Sequence, residues 1–199
     1  MKILITGFEP FGGADRNPSL EVLRRLPPRI AGAEIARLEL PVSFARSAAL
    51  LTDAIRRLRP DAVLSLGLAG GRAAITPERV AIDLDDARMP DNDGAMPVDR
   101  PIVEGAPAAY FSTLPVKAMA EAIRAEGIPA GVSYTAGTYV CNHVMYTALR
   151  LAATEFPAMR AGFMHLPYMD GQAEGQPSLP LQTLIRAAET AIRVIAEER

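Results

Sequence analysis

The chain has one cysteine and two histidines, and these side chains frame its chemistry. Cys141 lies in Ala136-Gly137-Thr138-Tyr139-Val140-Cys141-Asn142-His143, where a glycine turn gives way to apolar residues at helical spacing. A helix that starts at or just after Cys141 puts the thiol near the positive end of a helix dipole. That position lowers a thiol pKa and favours the thiolate, a good nucleophile. The plainer alternative is a small buried hydrophobe, the usual fate of a free cysteine. His143 follows two residues later, about 200° round a helix, so its ring points away from the thiol and reads as a helix-surface or supporting group. His165 stands near the end of the apolar stretch Gly162-Phe163-Met164-His165-Leu166-Pro167, which follows the Cys141 helix. A right-handed crossover returns that strand end to the same sheet edge, so thiol and imidazole can meet and His165 is the candidate general base.

A Cys-His pair is completed by a group that orients the ring. Glu78, in Ile75-Thr76-Pro77-Glu78-Arg79-Val80, is the candidate, because Ile75, Val80 and Ile82 mark a partly buried extended segment in which an acid needs a partner. A salt bridge to Arg72 or Arg79 explains such a glutamate equally well, and both readings stand at this point.

Positioning these groups requires a sheet whose strand ends converge. Lys2 to Thr6 reads as a buried strand ending at Gly7. Asn17-Pro18 supplies a cap and first residue for a helix from Pro18 to Leu26, stopped by Pro27-Pro28. Glu34 to Leu40 alternates as a strand, and Ser43 to Leu58 repeats apolar residues with helical period. Asp61 to Leu68 is the next buried strand, and Ile75 to Leu84 is extended. Asp85 to Pro107 is a long polar segment dense in Pro, Gly and Asp, of the kind that is functional or mobile. Further elements are a helix Val116 to Ala125, a strand Ala130 to Thr135, a helix from near Cys141 to Phe156, a strand Ala161 to Leu166 and a helix Leu181 to Glu198. The alternation predicts an α/β fold: a single doubly wound domain over residues 1–199, with a largely parallel sheet and helices on both faces.

Composition narrows the partners. With 21 basic against 23 acidic residues and no basic block, nothing marks a nucleic-acid surface. The longest apolar runs fall far short of the ~20 residues of a membrane span, and Met1-Lys2-Ile3-Leu4 lacks a signal-peptide layout. A soluble, cytoplasmic protein is expected. One cysteine and two histidines build no conventional zinc site, so no metal is expected. The glycine-rich loops Gly7–Gly13 and Gly67–Arg72 follow strands, but they match neither the P-loop nor the dinucleotide fingerprint.

The combination of Ile5-Thr6-Gly7-Phe8-Glu9-Pro10-Phe11-Gly12-Gly13, Ile75-Thr76-Pro77-Glu78-Arg79, Pro90-Asp91-Asn92 and Gly137-Thr138-Tyr139-Val140-Cys141-Asn142-His143 resembles pyroglutamyl peptidase I, a cysteine peptidase family, over nearly the whole chain. The resemblance implies a thiol exopeptidase that removes N-terminal pyroglutamate from peptides without metal or cofactor. It implies Cys141 as nucleophile, His165 as base, Glu78 as orienting acid, an oxyanion site of the Cys141 backbone N–H and Arg88, and a homotetramer. For a neutral lactam the pocket should be mainly apolar, with Phe8 and Phe11 on one side and Tyr139 and Val140 on the other. Two positions depart from the family: Leu68 stands where Gln is common, close to the substrate loop, and Asp83 where Asn is usual, adding negative charge near the site entrance. Two rivals remain at this stage: a phosphorylase-type transferase on a similar sheet, and a lactam-binding homologue that does not hydrolyse.

Overall fold

The computed structural model describes residues 1–198. In chain order the elements are β1 (Lys2–Phe8), α1 (Pro18–Arg25), β2 (Arg29–Ile30), β3 (Ala33–Leu40), α2 (Phe44–Leu58), β4 (Ala62–Leu68), β5 (Thr76–Glu78) and β6 (Val80–Ile82). They continue with β7 (Ala109–Phe111), α3 (Val116–Ala125), α4 (Val140–Thr154), β8 (Arg160–Leu166), β9 (Tyr168–Met169), β10 (Ser178–Leu179) and α5 (Leu181–Glu197). Six strands form the central sheet in the order β2-β3-β1-β4-β8-β5. Its four inner strands run parallel, and β2 and β5 pair antiparallel at the two edges.

Parallel strands covered on both faces read as continuous apolar runs rather than alternating ones, as β1 and β4 do. Successive side chains still point to opposite faces. Ile3, Ile5, Leu64, Leu66, Met164 and Leu166 pack with residues of α1, α3 and α5, whereas Leu4, Phe8, Val63 and Phe163 pack with residues of α2 and α4. The helix starts expected from sequence are built as capping chemistry dictates. Asn17 Oδ1 accepts the Ser19 N–H at the start of α1, and Ser43 Oγ accepts the Arg46 N–H at the start of α2.

Two expected strands differ. Residues 130–135 form no strand and contribute only isolated bridges to Ile75 and Glu78. They run alongside β5, but Pro77 at its centre has no N–H to offer, so the ladder is interrupted. The extended Ile75–Leu84 stretch is divided at Arg79 into β5, which joins the main sheet, and β6, which pairs with β7.

The long segment after β6 has little regular structure, yet it is strapped down. Asp91 caps α2 from outside, accepting the Phe44 N–H at 2.9 Å, and also takes the N–H groups of Asp93 and Ala95. Asn92 Nδ2 donates to Glu9 Oε1 (3.0 Å) and to the Pro10 carbonyl (2.9 Å). The Pro90-Asp91-Asn92 motif therefore ties together α2 and the loop after β1.

Candidate active site

The helix carrying Cys141 starts at Val140 with Tyr139 as its N-cap, and no side chain caps it. Cys141 thus lies in the first turn, where backbone N–H groups have no intrahelical acceptor. Its thiol abuts β4 at Gly67: a Cβ built there would lie 3.0 Å from Cys141 Sγ and 2.6 Å from the Phe163 ring. Only glycine leaves room for the sulfur at this point. Gly67 is the residue paired with His165 in the β4–β8 register, so the missing side chain places the thiol beside the histidine-bearing strand.

On its other side His165 pairs with Thr76 of β5, and two residues along that strand stands Glu78. His165 Nδ1 and Glu78 Oε1 are 2.7 Å apart, and both side chains are almost completely buried. An ionised carboxylate only accepts, so Nδ1 carries the proton and Nε2 keeps its lone pair, the state a base requires. Arg72 Nη1 also donates to Glu78 Oε1, at 2.6 Å. Glu78 thus contacts both His165 and Arg72, whereas Arg79 turns to the Ser112 carbonyl and the Phe111 ring.

Burial opposes the charge on Glu78, but His165, the nearby Ser133 hydroxyl and Arg72 outweigh it and hold its pKa below the ordinary value. Burial depresses His165 more than Glu78 raises it, so the imidazole resists protonation. The thiol departs from the sequence expectation. Burial, reinforced by the negative charge of Glu78, pushes Cys141 up to about 12, with Arg72 pulling in the opposite direction. Both shifts favour the uncharged forms, a thiol on Cys141 and an unprotonated ring on His165.

Phe8, Phe11, Leu68, Tyr139 and Val140 all line one small apolar pocket with Cys141. Asn17 and Val42 line it too, and sequence reasoning missed both as site residues. Asn17 was legible only as a helix cap; its Nδ2 donates to the Glu9 carbonyl, which turns the amide toward the loop after β1. The walls are joined by Phe11 and Tyr139, with ring centroids 6.3 Å apart, and by the Tyr139 hydroxyl donating to the Pro90 carbonyl at 3.0 Å. The free volume is about 20 Å³, room for about one water. Wider clefts of about 340 and 600 Å³ lie elsewhere, around Phe156 and around Tyr134, away from the thiol.

Two expected neighbours are placed differently. Arg88 is exposed and lines an adjacent cleft with Thr138 and Tyr139 rather than the Cys141 pocket. Asp83 does not line the pocket either: its carboxylate accepts the Val103 N–H at 2.9 Å and anchors the long segment. His143 points away from the thiol, mostly buried against Phe44, with Nδ1 2.8 Å from Asp85. Asn142 fastens α4 to β6 through the Ile82 N–H and the Ile82 and Leu84 carbonyls. Among the described residues no group of three His, Cys, Asp or Glu side chains is arranged to hold a metal ion, and no helix is long and apolar enough to cross a membrane.

The family profile described as pyroglutamyl peptidase matches residues 1–198. The chain belongs to the pyroglutamyl peptidase family. It is 56% identical over 198 residues to a pyrrolidone-carboxylate peptidase of Levilactobacillus brevis, covering 98% of this chain and 97% of that one. It is 52% identical to one from Streptococcus suis, covering 100% and 94%. Among solved structures, pyroglutamyl peptidase I of Bacillus amyloliquefaciens superposes with a TM-score of 0.95 at 45% identity, covering 98% of this chain and 96% of that one. The pyrrolidone carboxyl peptidase of Thermococcus litoralis gives 0.94 at 42%, covering 98% and 92%. The architecture, mixed α/β around a mostly parallel sheet, is shared with these two pyroglutamyl peptidase structures.

Proposed function

We propose that the chain is a cysteine exopeptidase that removes N-terminal pyroglutamate from peptides, with Cys141 as nucleophile, His165 as general base and acid, and Glu78 as the group that orients His165. The observation that carries the assignment is the meeting, over Gly67, of a first-turn thiol with the strand holding the His165–Glu78 pair, at the mouth of an apolar pocket.

As Cys141 Sγ attacks the pyroglutamyl carbonyl, His165 Nε2 takes the thiol proton, so the thiolate forms only when it is used. The resulting oxyanion is received by the Cys141 backbone N–H, which the uncapped α4 leaves free. Arg88, which the family resemblance implies as a second donor, lines the neighbouring cleft across Tyr139 and reaches the oxyanion only if its side chain swings past that ring. Collapse expels the amine, protonated by His165; water activated by the same nitrogen then cleaves the thioester and releases pyroglutamate. The lactam lies between Phe8, Phe11 and Leu68 on one side and Tyr139 and Val140 on the other.

The whole chain acts as one catalytic domain. A homotetramer is the assembly that the family resemblance implies, and a cytoplasmic site of action is proposed with it; light scattering and cell fractionation test the two. For the activity itself, the purified protein is given a chromogenic pyroglutamyl amide and the matching prolyl amide. Release from the first and not the second is expected; equal release from both contradicts lactam recognition.

A further inference from the structure

Glu78 is completely buried, and two donors converge on one of its oxygens: His165 Nδ1 at 2.7 Å and Arg72 Nη1 at 2.6 Å both meet Oε1. Oε2 is equally buried and has no hydrogen-bond partner among the described residues. Arg72 is itself fixed, since Nη1 also donates to Thr76 Oγ1 (2.7 Å) and Nη2 to the Thr135 carbonyl (3.0 Å). One guanidinium therefore joins the loop after β4, the edge strand β5 and the 130–135 segment beside it.

We infer that Arg72 is a positioning residue for the reaction: it holds Glu78 as a carboxylate with Oε1 turned to His165, and so keeps the imidazole proton on Nδ1 and leaves Nε2 free for the thiol. The inference rests on the roles proposed above for Cys141, His165 and Glu78. A buried carboxylate accompanied only by a neutral imidazole gains by taking up a proton. A protonated Glu78 would donate to Nδ1 and drive the histidine proton to Nε2, the tautomer unable to accept from sulfur. Arg72 prevents this with a charge that is never given up at working pH.

The groups facing Glu78 are Arg72, Thr76 on its own strand, His165 of β8, the Ser133 hydroxyl and Cys141 of α4. Among them Arg72 is the only permanent cation, and Arg79 is committed elsewhere. Its removal acts in one direction throughout. Glu78 loses a donor that favours its charge, His165 loses a repelling cation and becomes easier to protonate, and Cys141 loses the cation that favours its thiolate. Because the base must be neutral, the acid limb of the rate profile moves to higher pH.

The test compares Arg72→Ala, Arg72→Lys and Glu78→Gln with the unaltered enzyme on a chromogenic pyroglutamyl amide across pH, alongside thermal melts. For Arg72→Ala, kcat should fall about ten- to a hundredfold with KM little changed, and the acid limb should move up by about one pH unit. Dilute guanidinium chloride should restore part of the rate. Arg72→Lys keeps the charge without the fork, so its acid limb should stay near that of the unaltered enzyme while kcat is intermediate. If Arg72→Ala does not fold, the lysine variant carries the test, and full kcat in it overturns the inference. An unchanged acid limb and kcat in Arg72→Ala, or a lowered melting temperature with kcat intact, overturns it as well. Full turnover by Glu78→Gln would instead sink the underlying role of Glu78, whereas an inactive Glu78→Gln beside a normal Arg72→Ala would remove the Arg72 inference alone.

Discussion

The molecule contains two histidine–carboxylate pairs of nearly equal length, His165–Glu78 at 2.7 Å and His143–Asp85 at 2.8 Å, both well shielded from solvent. Each has a buried carboxylate oxygen without a partner among the described residues, Glu78 Oε2 and Asp85 Oδ1. What separates them is their surroundings. The first pair includes a guanidinium on the carboxylate and stands at the strand ends where the sulfur fits over Gly67. Among the described residues no Lys or Arg is paired to Asp85 in the second, and its imidazole faces the Phe44 ring. A shielded His–carboxylate pair is thus not a catalytic signature by itself. The second one pins the start of the long segment to α4, while the first is the pair proposed to move a proton.

The largest separation is expected from removing each imidazole in turn. His165→Ala should lose about 10²–10⁴-fold in kcat, while His143→Ala keeps most of its turnover in the same assay. Equal losses would break the distinction. Acid titration sharpens it. The pKa of His165 is lowered in the folded state from 6.5, so the unfolded chain takes up that proton first and stability declines as pH falls through about 6.5. Glu78, lowered from 4.5, contributes above that value and is lost as pH falls through its depressed folded pKa. Melting temperatures across this range should therefore fall from near-neutral pH, and His165→Ala should lack the upper part of the decline. An unaltered upper part would show that the buried imidazole is protonated at no cost.

His143→Ala should act on stability instead, by about 1–3 kcal/mol, because it leaves the Asp85 carboxylate buried without its partner. A denaturant melt reads this directly, and an unchanged midpoint would mean that Asp85 is satisfied by other means. The smallest effect is expected at the pocket wall. Restoring the glutamine common in the family, Leu68→Gln, should lower KM by up to roughly tenfold, the ~0.5–1.5 kcal/mol of one hydrogen bond, with kcat little changed. A higher KM together with a lower melting temperature would show a pocket repacked around Leu68.

The distinction between the histidines was legible in the sequence because it needs only local geometry: a helical offset of two residues for His143 and a crossover that returns His165 to the shared sheet edge. The pocket residues Phe8, Phe11, Leu68, Tyr139 and Val140 could be anticipated because they end a parallel strand, follow one in its loop, or stand at the start of α4. What sequence did not reveal depends on contacts between distant segments. The thiol's burial depends on how closely Gly67 lets α4 approach the sheet. The convergence of Arg72 and His165 on one oxygen of Glu78 depends on the register of β5 against β8, and the failure of residues 130–135 to form a strand depends on a proline in a neighbouring segment. Asn17 shows a related blind spot, since its capping role was sufficient to explain it and gave no sign that it also borders the pocket.

The thiol is the centre of the account, and the chain's single cysteine allows it to be tested without ambiguity. Turnover of a chromogenic pyroglutamyl amide is measured as iodoacetamide is titrated against the enzyme, with the alkylated fraction read by mass spectrometry. The account predicts that activity falls in proportion to alkylation of Cys141, that substrate slows the alkylation, and that folded Cys141→Ser is inactive. Full turnover by the fully alkylated protein would contradict it.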